Sequence, residues 1–462
     1  MISLEEAMRA LVCVVCILAA AASAGVSRAE AGSAADHLAT VAALFQQAPH
    51  AQVFGPALTL DEVERMALAR NPDILAAARR VASAETHVPI AGALDDPSVM
   101  YRGWGIPLQQ PWNYNAGQNM FSISQTFPGT GKRALRTSIA ESDVDVAKAQ
   151  LDEVRLQVRV RVHKAFDDLL RAEDEMRIHD QHVGIARQAI EAARIKYAVG
   201  KVPQQDILKA QVALTALAEH MIRFDHDADL ARARLDTLLG RDPSTPLRVT
   251  GGFPVLSALP AAQKLDQIAL QSRPDIIAAE QAAMRSHTQQ ALAKKAYTPD
   301  FTVSAGYMLM QPTADMRNNY MIEGSMNLPW LNRRKHDAEI AEATARSTEQ
   351  DAELAALRNE AFGQIQDALV EAQAAQKLAH LYHDQLRPQA EATLQSSVIA
   401  YENGQTSLLN LLDSQMEVIN VDLDWLQAVA DFDTRLADLE LSIGVPLDQS
   451  GQSLLPATEV KP

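Results

Sequence analysis

The sequence predicts a mostly α-helical protein with a small β part, built from two tandem copies of one structural unit. The first observation is a repeated stretch, because Tyr197–Gln211 (YAVGKVPQQDILKAQ) returns 204 residues later as Tyr401–Gln415 (YENGQTSLLNLLDSQ). The second is composition: 47% hydrophobic residues with only 5% aromatic ones favour long packed helices over a thick core. The third is a pair of short alternating stretches in each copy, which predicts two strands per copy.

Other landmarks repeat at nearly the same offset and set the predicted domains. NPDI at residues 71–74 matches RPDI at 273–276, and HDQ at 179–181 returns at 383–385. A period of about 200 residues is far longer than a solenoid unit, so each copy is a half-domain. The predicted repeats are 58–250 and 261–447, joined by a linker at 251–260 and followed by a disordered tail at 448–462.

Residues 1–24 are predicted to form a secretory signal peptide. The apolar run at 10–22 is too short to span a bilayer, and residues 22–24 (ASA) supply the small side chains of a cleavage site. Cleavage is expected after Ala24 or, failing that, after Ala31.

Composition excludes several classes of function. Both cysteines, Cys13 and Cys16, lie in the signal peptide, so the mature chain has neither a disulfide nor a thiolate metal site. The formal net charge of −16 argues against nucleic acid as a partner. No run of eighteen apolar residues follows the signal, so no transmembrane helix is predicted.

Helix caps mark the first elements of the mature chain. Residues 25–57 are small, polar and interrupted by proline, which indicates a flexible leader. Thr59 then caps a helix from about Asp61. Asn71 caps a second helix that starts with proline at its first position, where proline is tolerated, and that ends near Leu94.

The strands are predicted at Val99–Trp104 and Asn119–Phe127, and again from Phe301 and at Tyr320–Leu328. From Phe301 onward, alternate residues are apolar, while those between them are small, polar or methionine. This alternation is typical of a transmembrane β-barrel. Four strands cannot close a barrel, so several copies of the chain must share one. Six residues are expected to supply its aromatic girdle: Tyr101, Trp104, Trp112, Tyr307, Tyr320 and Trp330.

Each copy continues into a very long helix and an antiparallel partner. After Lys132-Arg133, apolar and small residues step by three and four as far as about Ala198, which predicts a coiled-coil seam roughly 95 to 100 Å long. The partner helix is predicted from Pro203 to Leu239. The second copy repeats this with a helix at 333–403, kinked at Pro388, and a partner at 406–443.

These features together resemble the TolC-like outer-membrane efflux factors over about Leu58–Leu447. The junction at 127–136 (FPGTGKRALR) and the methionine-bearing region at 307–329 are similar to the subgroup that serves heavy-metal efflux pumps. The resemblance implies a homotrimer, with a shared twelve-stranded barrel in the outer-membrane lipid and a hollow α-helical barrel through the periplasm. It also implies docking to a periplasmic adaptor (membrane fusion) protein and an inner-membrane efflux pump.

The turns between the long helices are the predicted adaptor-docking tip. The tip residues are Tyr197, Gly200, Lys201, Gln205, Tyr401, Gly404, Gln405 and Thr406. Just past the turns, Asp206, Asn410 and Asp413 form the predicted pore aperture, since each becomes a ring in a trimer and acidic rings attract cations. Similar family members carry acids at all three positions, so Asn410 weakens one ring. The alternative is that the aspartates only complement the positive ends of helices.

Two groups of side chains are weighed as metal ligands. Five methionines lie within nineteen residues, and thioethers suit Cu(I) or Ag(I), but methionine also fills apolar faces, which is the preferred interpretation. They are Met308, Met310, Met316, Met321 and Met326. The histidine pairs His179/His182 and His380/His383 can each share a helix face, and the preferred interpretation is that they are packed or solvated. No resident metal or cofactor is predicted.

No catalytic motif is found, so the protein is predicted not to be an enzyme. GTGK at 129–132 lacks the phosphate-loop glycine at Thr126 and the hydroxyl residue at Arg133. The leading hypothesis is a passive export duct in the cell outer membrane, with a long periplasmic extension, as the channel of a tripartite efflux system for heavy-metal cations. The alternatives are a periplasmic coiled-coil scaffold or adaptor, a duct for drugs or secreted proteins, and a soluble metal-sequestering protein.

Overall fold

A computed structural model describes residues 57–106, 108–113, 117–253, 256, 259–309 and 318–447. The predicted signal peptide, the leader up to residue 56 and the tail at 448–462 lie outside these residues, as do Met310 and Met316. Within the described ranges, long helices dominate and a four-stranded sheet adjoins their ends.

The two repeats share the order of two short helices, two strands, a long helix and its antiparallel partner, while the first repeat also has the short strands β1 and β4. The first contains β1 (Ala57–Leu58), α1 (Leu60–Arg70), α2 (Pro72–Gly92), β2 (Ser98–Trp104), β3 (Gln118–Phe127), α3 (Lys132–Ala198), α4 (Gln204–Leu238) and β4 (Arg248–Val249), which pairs with β1. The second contains α5 (Ala262–Ser272), α6 (Pro274–Lys294), β5 (Phe301–Leu309), β6 (Asn318–Met326), α7 (Arg333–Leu381), α8 (Arg387–Glu402) and α9 (Leu408–Ile443). Short 3₁₀ turns occupy Lys295–Tyr297 and Pro329–Asn332.

The predicted caps start the short helices. The Glu62 carboxylate accepts a 3.0 Å hydrogen bond from the backbone N–H of Thr59, which closes a capping box on α1. The Asn71 side chain accepts a hydrogen bond from the backbone N–H of Asp73 and donates one to the carbonyl of Leu238, each 2.9 Å long. One amide therefore satisfies both the start of α2 and the end of α4.

The second repeat holds the end of α9 with different side chains. Arg273 donates a 3.0 Å hydrogen bond to the carbonyl of Ser442, and the Ser272 hydroxyl donates one of 2.9 Å to the carbonyl of Ile443. Gly444 ends α9 with φ of +85°, and a Cβ there would lie 2.7 Å from the Arg273 Cα. Only glycine permits this close approach, so both hairpins end against the short helices of their own repeat.

The four long strands form one antiparallel sheet in the order β2-β3-β5-β6, so the repeats join between β3 and β5. Cross-strand partners share a face, and the register places Tyr101, Phe121, Tyr307 and Tyr320 in one row across all four strands. The face of that row is apolar and exposed, with Val99, Tyr101, Phe121, Ile123, Phe127, Phe301, Val303, Tyr307, Leu309, Tyr320, Ile322 and Met326. The predicted alternation along β5 is therefore confirmed.

Strand β6 begins and ends two residues earlier than predicted. It ends at Met326 because the next side chain, Asn327, accepts a 2.7 Å hydrogen bond from the backbone N–H of Asp300. Pro329 then has no N–H to donate to a ladder. The chain consequently turns into a 3₁₀ segment instead of extending the strand to Leu328.

Asp300 anchors the turn between β3 and α3 to the second repeat. One of its carboxylate oxygens accepts hydrogen bonds from the backbone N–H of Gly129 at 2.6 Å and from Lys132 Nζ at 2.8 Å. A Cβ on Gly129 would lie 2.6 Å from the carbonyl oxygen of Pro299, so glycine allows the two segments to approach. The GTGK stretch is thus a strand-to-helix joint, and its lysine is held by a carboxylate.

The first long helix matches its predicted boundaries. Helix α3 has 67 residues, which corresponds to about 100 Å at 1.5 Å per residue. Its buried residues at the predicted three- and four-residue steps divide between two clusters. Those from Leu151 to Ala172 pack with α1, α2 and α4, and those from Val183 to Ala193 pack with α4 and the tip of the second repeat in a separate cluster. That cluster contains Val183, Ala186, Ile190, Ala193, Ile207, Ala210, Leu214, Leu217, Tyr401, Leu408, Leu411, Leu412 and Ile419.

The second long helix is interrupted by a π-helical turn at Tyr382–Leu386, between α7 and α8. In it, the backbone N–H of Arg387 donates to the carbonyl of Tyr382, five residues back. Pro388 follows directly, and its ring would collide with the carbonyl of residue 384 in a regular helix. The predicted distortion at Pro388 is therefore a wider turn that precedes the proline.

The outward faces of the long helices are charged. Ion pairs within one helix include Arg155–Asp152 at 2.8 Å and Arg346–Glu342 at 2.6 Å. Exposed pairs of this kind contribute at most about 1 kcal/mol each, so they matter more for solvation than for stability. Across the residues given in the ranges above, no helix combines the length and apolar character required to cross a membrane.

One histidine is enclosed in the seam between α3 and α4. His179 is fully buried, and its ring centroid lies 5.3 Å from that of His220 and 4.7 Å from that of Phe224. Neither ring nitrogen has a hydrogen-bond partner among the described residues. Burial, together with His220 and His182, lowers the pKa of His179 to about 4, so the ring is neutral in the folded protein.

Acidification should therefore destabilise the seam through His179. In the unfolded chain the ring takes up a proton near pH 6.5, whereas the folded chain resists protonation down to about pH 4. Stability is present above this window and is lost as pH falls through it, by up to about 3 kcal/mol. We expect His179→Leu to reduce the fall in thermal unfolding midpoint between pH 7.5 and pH 4.5.

The control for this experiment is His383→Leu, at the equivalent exposed position of the second repeat. This substitution also removes one histidine but leaves the seam closed. If both variants keep the pH dependence of the wild-type protein, His179 does not cause the acid sensitivity.

Candidate functional site

The two turns between the long helices close with the same hydrogen-bond pattern. Gly200 has φ of +72°, and its N–H donates to the carbonyl of Tyr197, while the N–H of Lys201 donates to the carbonyl of Lys196, both at 2.9 Å. The second repeat has the same two bonds around Gly404, whose φ is +73°. This is the Schellman motif, which places a residue in the left-handed conformation that glycine adopts without strain.

The turns of the two repeats lie side by side. Lys196 Nζ donates a 2.5 Å hydrogen bond to the carbonyl of Tyr401 and lies 3.7 Å from the centroid of the Tyr401 ring. Tyr401 is consequently only 5% exposed, whereas the equivalent Tyr197 is 45% exposed. Lys196 has no counterpart in the second repeat, where Ala400 takes its place. Two identical residues in the sequence therefore have different environments.

Most of the predicted docking residues are accessible. Those exposed are Tyr197, Gly200, Lys201, Gln205, Gly404 and Gln405, while Thr406 is half-buried. Tyr401 differs from its prediction, because Lys196 and the cluster at the tip cover its ring. It supports the tip from inside and is not a surface that a partner can reach.

The three predicted aperture residues all follow closely on the turns, in different environments. Asp206 lies half-buried in the first turn of α4, and burial together with the Asp206 carboxylate raises the pKa of Tyr401. The Asn410 side chain donates a 2.9 Å hydrogen bond to the Thr406 hydroxyl. Asp413 is exposed and lies beyond the first turn of α9. The helix-end interpretation therefore fits Asp206 but not Asp413.

The aromatic residues of the apolar face form two rows, and only three of the six predicted girdle residues lie in them. Tyr101, Tyr307 and Tyr320 lie in one row, which also contains Phe121. Trp104 pairs with Gln118, which puts it on the opposite, polar face. The residues left out of the prediction are Phe121, Phe127 and Phe301, the last two being cross-strand partners at the other end. Alternation along β3 carried the signal, since its odd-numbered residues include all of its phenylalanines.

The methionine cluster is divided between the two faces of the sheet. Met308 pairs with Met120, and Met321 pairs with Gly306, so both lie on the polar face. Met326 pairs with Phe301 on the apolar face. Methionines that are close together in the sequence thus lie on opposite faces of the sheet, because successive side chains of a strand point to alternate sides.

The two histidine pairs also separate. His179 and His182 are buried in the seam, and His182 Nε2 lies 3.7 Å from a carboxylate oxygen of Asp422. His380 and His383 are exposed, and both have Nδ1 beside Asp384, at 3.4 and 2.8 Å. These last residues line a cleft of about 690 Å³ next to the π-helical turn. One pair is packed and the other solvated, as the preferred interpretation holds.

A third cluster of polar residues lies between the repeats and was not predicted. His163 and Asp167, one helical turn apart on α3, meet Asp433 of α9. The spacing of the first two was visible in the sequence, but Asp433 is far away along the chain. Only the packing of α9 against α3 brings the three together.

The comparisons with known proteins agree with this architecture. The family model for outer membrane efflux proteins matches residues 63–241 and 265–445, which is most of both repeats. The cobalt-zinc-cadmium resistance protein CzcC of Cupriavidus metallidurans is 23% identical over 372 residues, covering 80% of this chain and 86% of the relative. The nickel-cobalt-cadmium resistance protein NccC of Alcaligenes xylosoxydans xylosoxydans is 22% identical over 306 residues, covering 65% and 69%.

A solved structure of CusC, reported with its folding and transmembrane channel formation, is similar in fold. Its TM-score is 0.70 at 18% sequence identity, over 83% of this chain and 92% of that chain. The predicted fold class, with duplicated long helical hairpins and four barrel strands per chain, is therefore confirmed, and so is the predicted family resemblance.

Proposed function

Because the chain belongs to the outer membrane efflux protein family, we propose that it is the outer-membrane channel of a tripartite efflux system that exports heavy-metal cations. The observation that carries this proposal is the placement of an apolar, aromatic-bordered sheet at one end of α3 and the two exposed glycine turns at the other. Helix α3 separates the two ends by about 100 Å, several times the thickness of a bilayer core. The protein supplies a passive path and no enzymatic step.

The sheet is one part of a shared barrel. Six residues separate the row at Tyr307 from the row at Phe301, which is about 20 Å along a strand at 3.3 Å per residue. That distance suits an outward apolar band of about 25 Å between two aromatic girdles. Strands β2 and β6 each pair on one side only in the described chain, so their free edges must meet those of other copies. Three copies make the twelve-stranded barrel that the family resemblance implies.

The turns form the periplasmic tip, and the residues just past them form the aperture. In a trimer, Asp206 and Asp413 each supply a ring of three carboxylates near the starts of α4 and α9, and Asn410, the counterpart of Asp206 in the second repeat, supplies a neutral ring. Carboxylate rings at a narrow mouth attract cations. The exposed residues of the two turns, including Gln205 and Gln405, are the surface offered to a periplasmic adaptor, which in turn joins the inner-membrane pump.

Metal cations are the proposed cargo for two reasons. Two relatives are named for resistance to cobalt, cadmium, zinc or nickel. The proposed carboxylate rings of Asp206 and Asp413 also favour cations over anionic or neutral compounds. A wide duct has few contacts with its cargo, so selectivity is assigned to the pump.

A strain that lacks the protein tests the cargo and the barrel together. We expect it to be sensitive to Co²⁺, Zn²⁺ and Cd²⁺ while its tolerance to antibiotics is unchanged, and we expect the wild-type gene to restore growth. Ala305→Arg should not restore it, because arginine on the lipid face costs roughly 2 to 4 kcal/mol near the bilayer midplane and blocks assembly. Ser304→Arg, one residue away on the polar face, should restore it.

Heat-resistant oligomers in the outer-membrane fraction report assembly of each variant. Equal recovery of growth with both arginine variants would refute the assignment of faces. If the strain that lacks the protein becomes sensitive to antibiotics but not to metals, the proposed metal cargo is wrong, while the proposed role as an export duct still stands.

Crosslinking tests which end meets the adaptor. Cysteine in place of Gln205 or Gln405 should crosslink in cells to a periplasmic adaptor, since both side chains are exposed at the turns. Cysteine in place of Tyr320, exposed on the sheet at the other end, is the control and should not. Adaptor crosslinks from Tyr320 alone would mean that the molecule is oriented the other way.

Single-channel recording tests the aperture. Asp206→Ala combined with Asp413→Ala should leave the trimer intact, change its conductance and remove block by multivalent cations added from the periplasmic side. The matched control combines Asp225→Ala with Asp431→Ala, which removes the same charge from exposed positions farther along α4 and α9. If the tip variant conducts and is blocked like the wild-type protein, these aspartates do not form the aperture.

A further inference from the structure

A buried cluster of ligating side chains joins the two repeats where α9 packs against α3. His163 Nε2 lies 3.7 Å from an Asp167 carboxylate oxygen and 3.4 Å from an Asp433 carboxylate oxygen. One ligand atom from each of the three residues lies within 4.8 Å of the other two. The cluster is enclosed, since Asp167 is 3% exposed, Asp433 is 6% exposed and the His163 side chain is 12% exposed.

The protein leaves part of this cluster without hydrogen bonds. His163 Nε2 and Asp167 Oδ2 are both fully covered from solvent and have no hydrogen-bond partner among the described residues. A buried polar atom of this kind costs about 1 to 3 kcal/mol when nothing compensates it. The two atoms point toward one another and toward Asp433, which is the arrangement expected of ligands around a shared cation.

The surrounding charge is also in favour of a cation. Two further buried carboxylates stand close by: Glu64, paired with Arg159 at 2.9 Å, and Glu440, which accepts a 2.8 Å hydrogen bond from the backbone N–H of Leu447. The region therefore contains four carboxylates against one arginine and one histidine. Buried carboxylates that outnumber the cationic side chains around them favour a bound cation, because buried charges are normally paired or coordinate a metal.

The geometry suits one class of ion. Imidazole nitrogen and carboxylate oxygen bind Zn²⁺ and similar divalent ions at about 2.0 to 2.2 Å, which places neighbouring ligands of a tetrahedron about 3.3 Å apart. The observed separations of 3.4 and 3.7 Å are close to that value. We propose that His163, Asp167 and Asp433 bind one divalent transition-metal ion of the Zn²⁺ and Co²⁺ class, with water in the remaining position, and that this ion clips the first repeat to the second.

The chain contains a matched control for the site. His380 and Asp384 have the same four-residue spacing, and His380 Nδ1 lies 3.4 Å from an Asp384 oxygen. Both of these side chains are exposed. His383 Nδ1 also lies 2.8 Å from Asp384, but among the described residues only His163, Asp167 and Asp433 have ligand atoms that all lie within 4.8 Å of one another. A histidine one turn from an aspartate is therefore present twice, but only the buried copy is predicted to bind.

Metal binding by the purified full-length trimer tests the proposal. After chelation and dialysis, titration with Zn²⁺ should saturate at one ion per chain, and Co²⁺ should give the visible absorption of a four-coordinate site. His163→Ala and Asp167→Asn should each weaken binding by more than about 100-fold, since even outer-shell partners of a metal change affinity by 10- to 100-fold. His380→Ala should bind like the wild-type protein.

Thermal unfolding provides a second readout. Saturating Zn²⁺ should raise the unfolding midpoint of the wild-type protein and of His380→Ala but not of Asp167→Asn, because a ligand stabilises only a folded state that binds it. Asp167→Asn keeps the shape of the protonated carboxyl, so it remains informative if His163→Ala does not fold. Absence of saturable binding to the wild-type protein, or equal binding by Asp167→Asn, would overturn the site whatever the cargo of the duct.

Discussion

The structure depends on the open edges of one small sheet. In hydrocarbon, an unpaired backbone N–H or carbonyl costs several kcal/mol, so β2 and β6 must find strands of other copies. Closing the sheet places the strands on a circle. Because α3 starts only five residues after the end of β3, at Lys132, the same circle fixes where the long helices begin. The helical tube and the tip of the assembly therefore follow from a hydrogen-bond requirement at the opposite end.

The two repeats meet the same structural needs with different side chains. The end of α4 is held by the Asn71 amide, whereas the end of α9 is held by the Arg273 guanidinium. At the tip, Lys196 covers Tyr401, and the corresponding position of the second repeat is Ala400. The two hairpins of one chain thus follow similar paths but make different side-chain contacts. A substitution at the end or the turn of one hairpin therefore does not affect the same contact in the other.

The side chains along a hairpin about 100 Å long are too far apart to form a single hydrophobic core. One buried cluster surrounds α1 and α2, another ties the tip together, and a third lies around α5 and the end of α9. Between them, the seam admits polar side chains such as His179, which must remain neutral, and the carboxylates beside His163. Stability is consequently local, so the tip, which contains residues of both repeats, can hold its shape about 100 Å from the sheet.

The sequence by itself determined the elements whose signals are local. Periodicity located α3 to within about two residues. The caps at Thr59 and Asn71 and the turns at Gly200 and Gly404 are read from short stretches, because helix ends and left-handed turns depend on neighbouring residues. Only the tertiary structure decided which of two equivalent residues is buried: Tyr401 is, and Tyr197 is not. It also decided which residues far apart in the sequence come into contact, such as His163 and Asp433. Burial and long-range contact are properties of packed surfaces, and a one-dimensional pattern does not specify which surface packs against which.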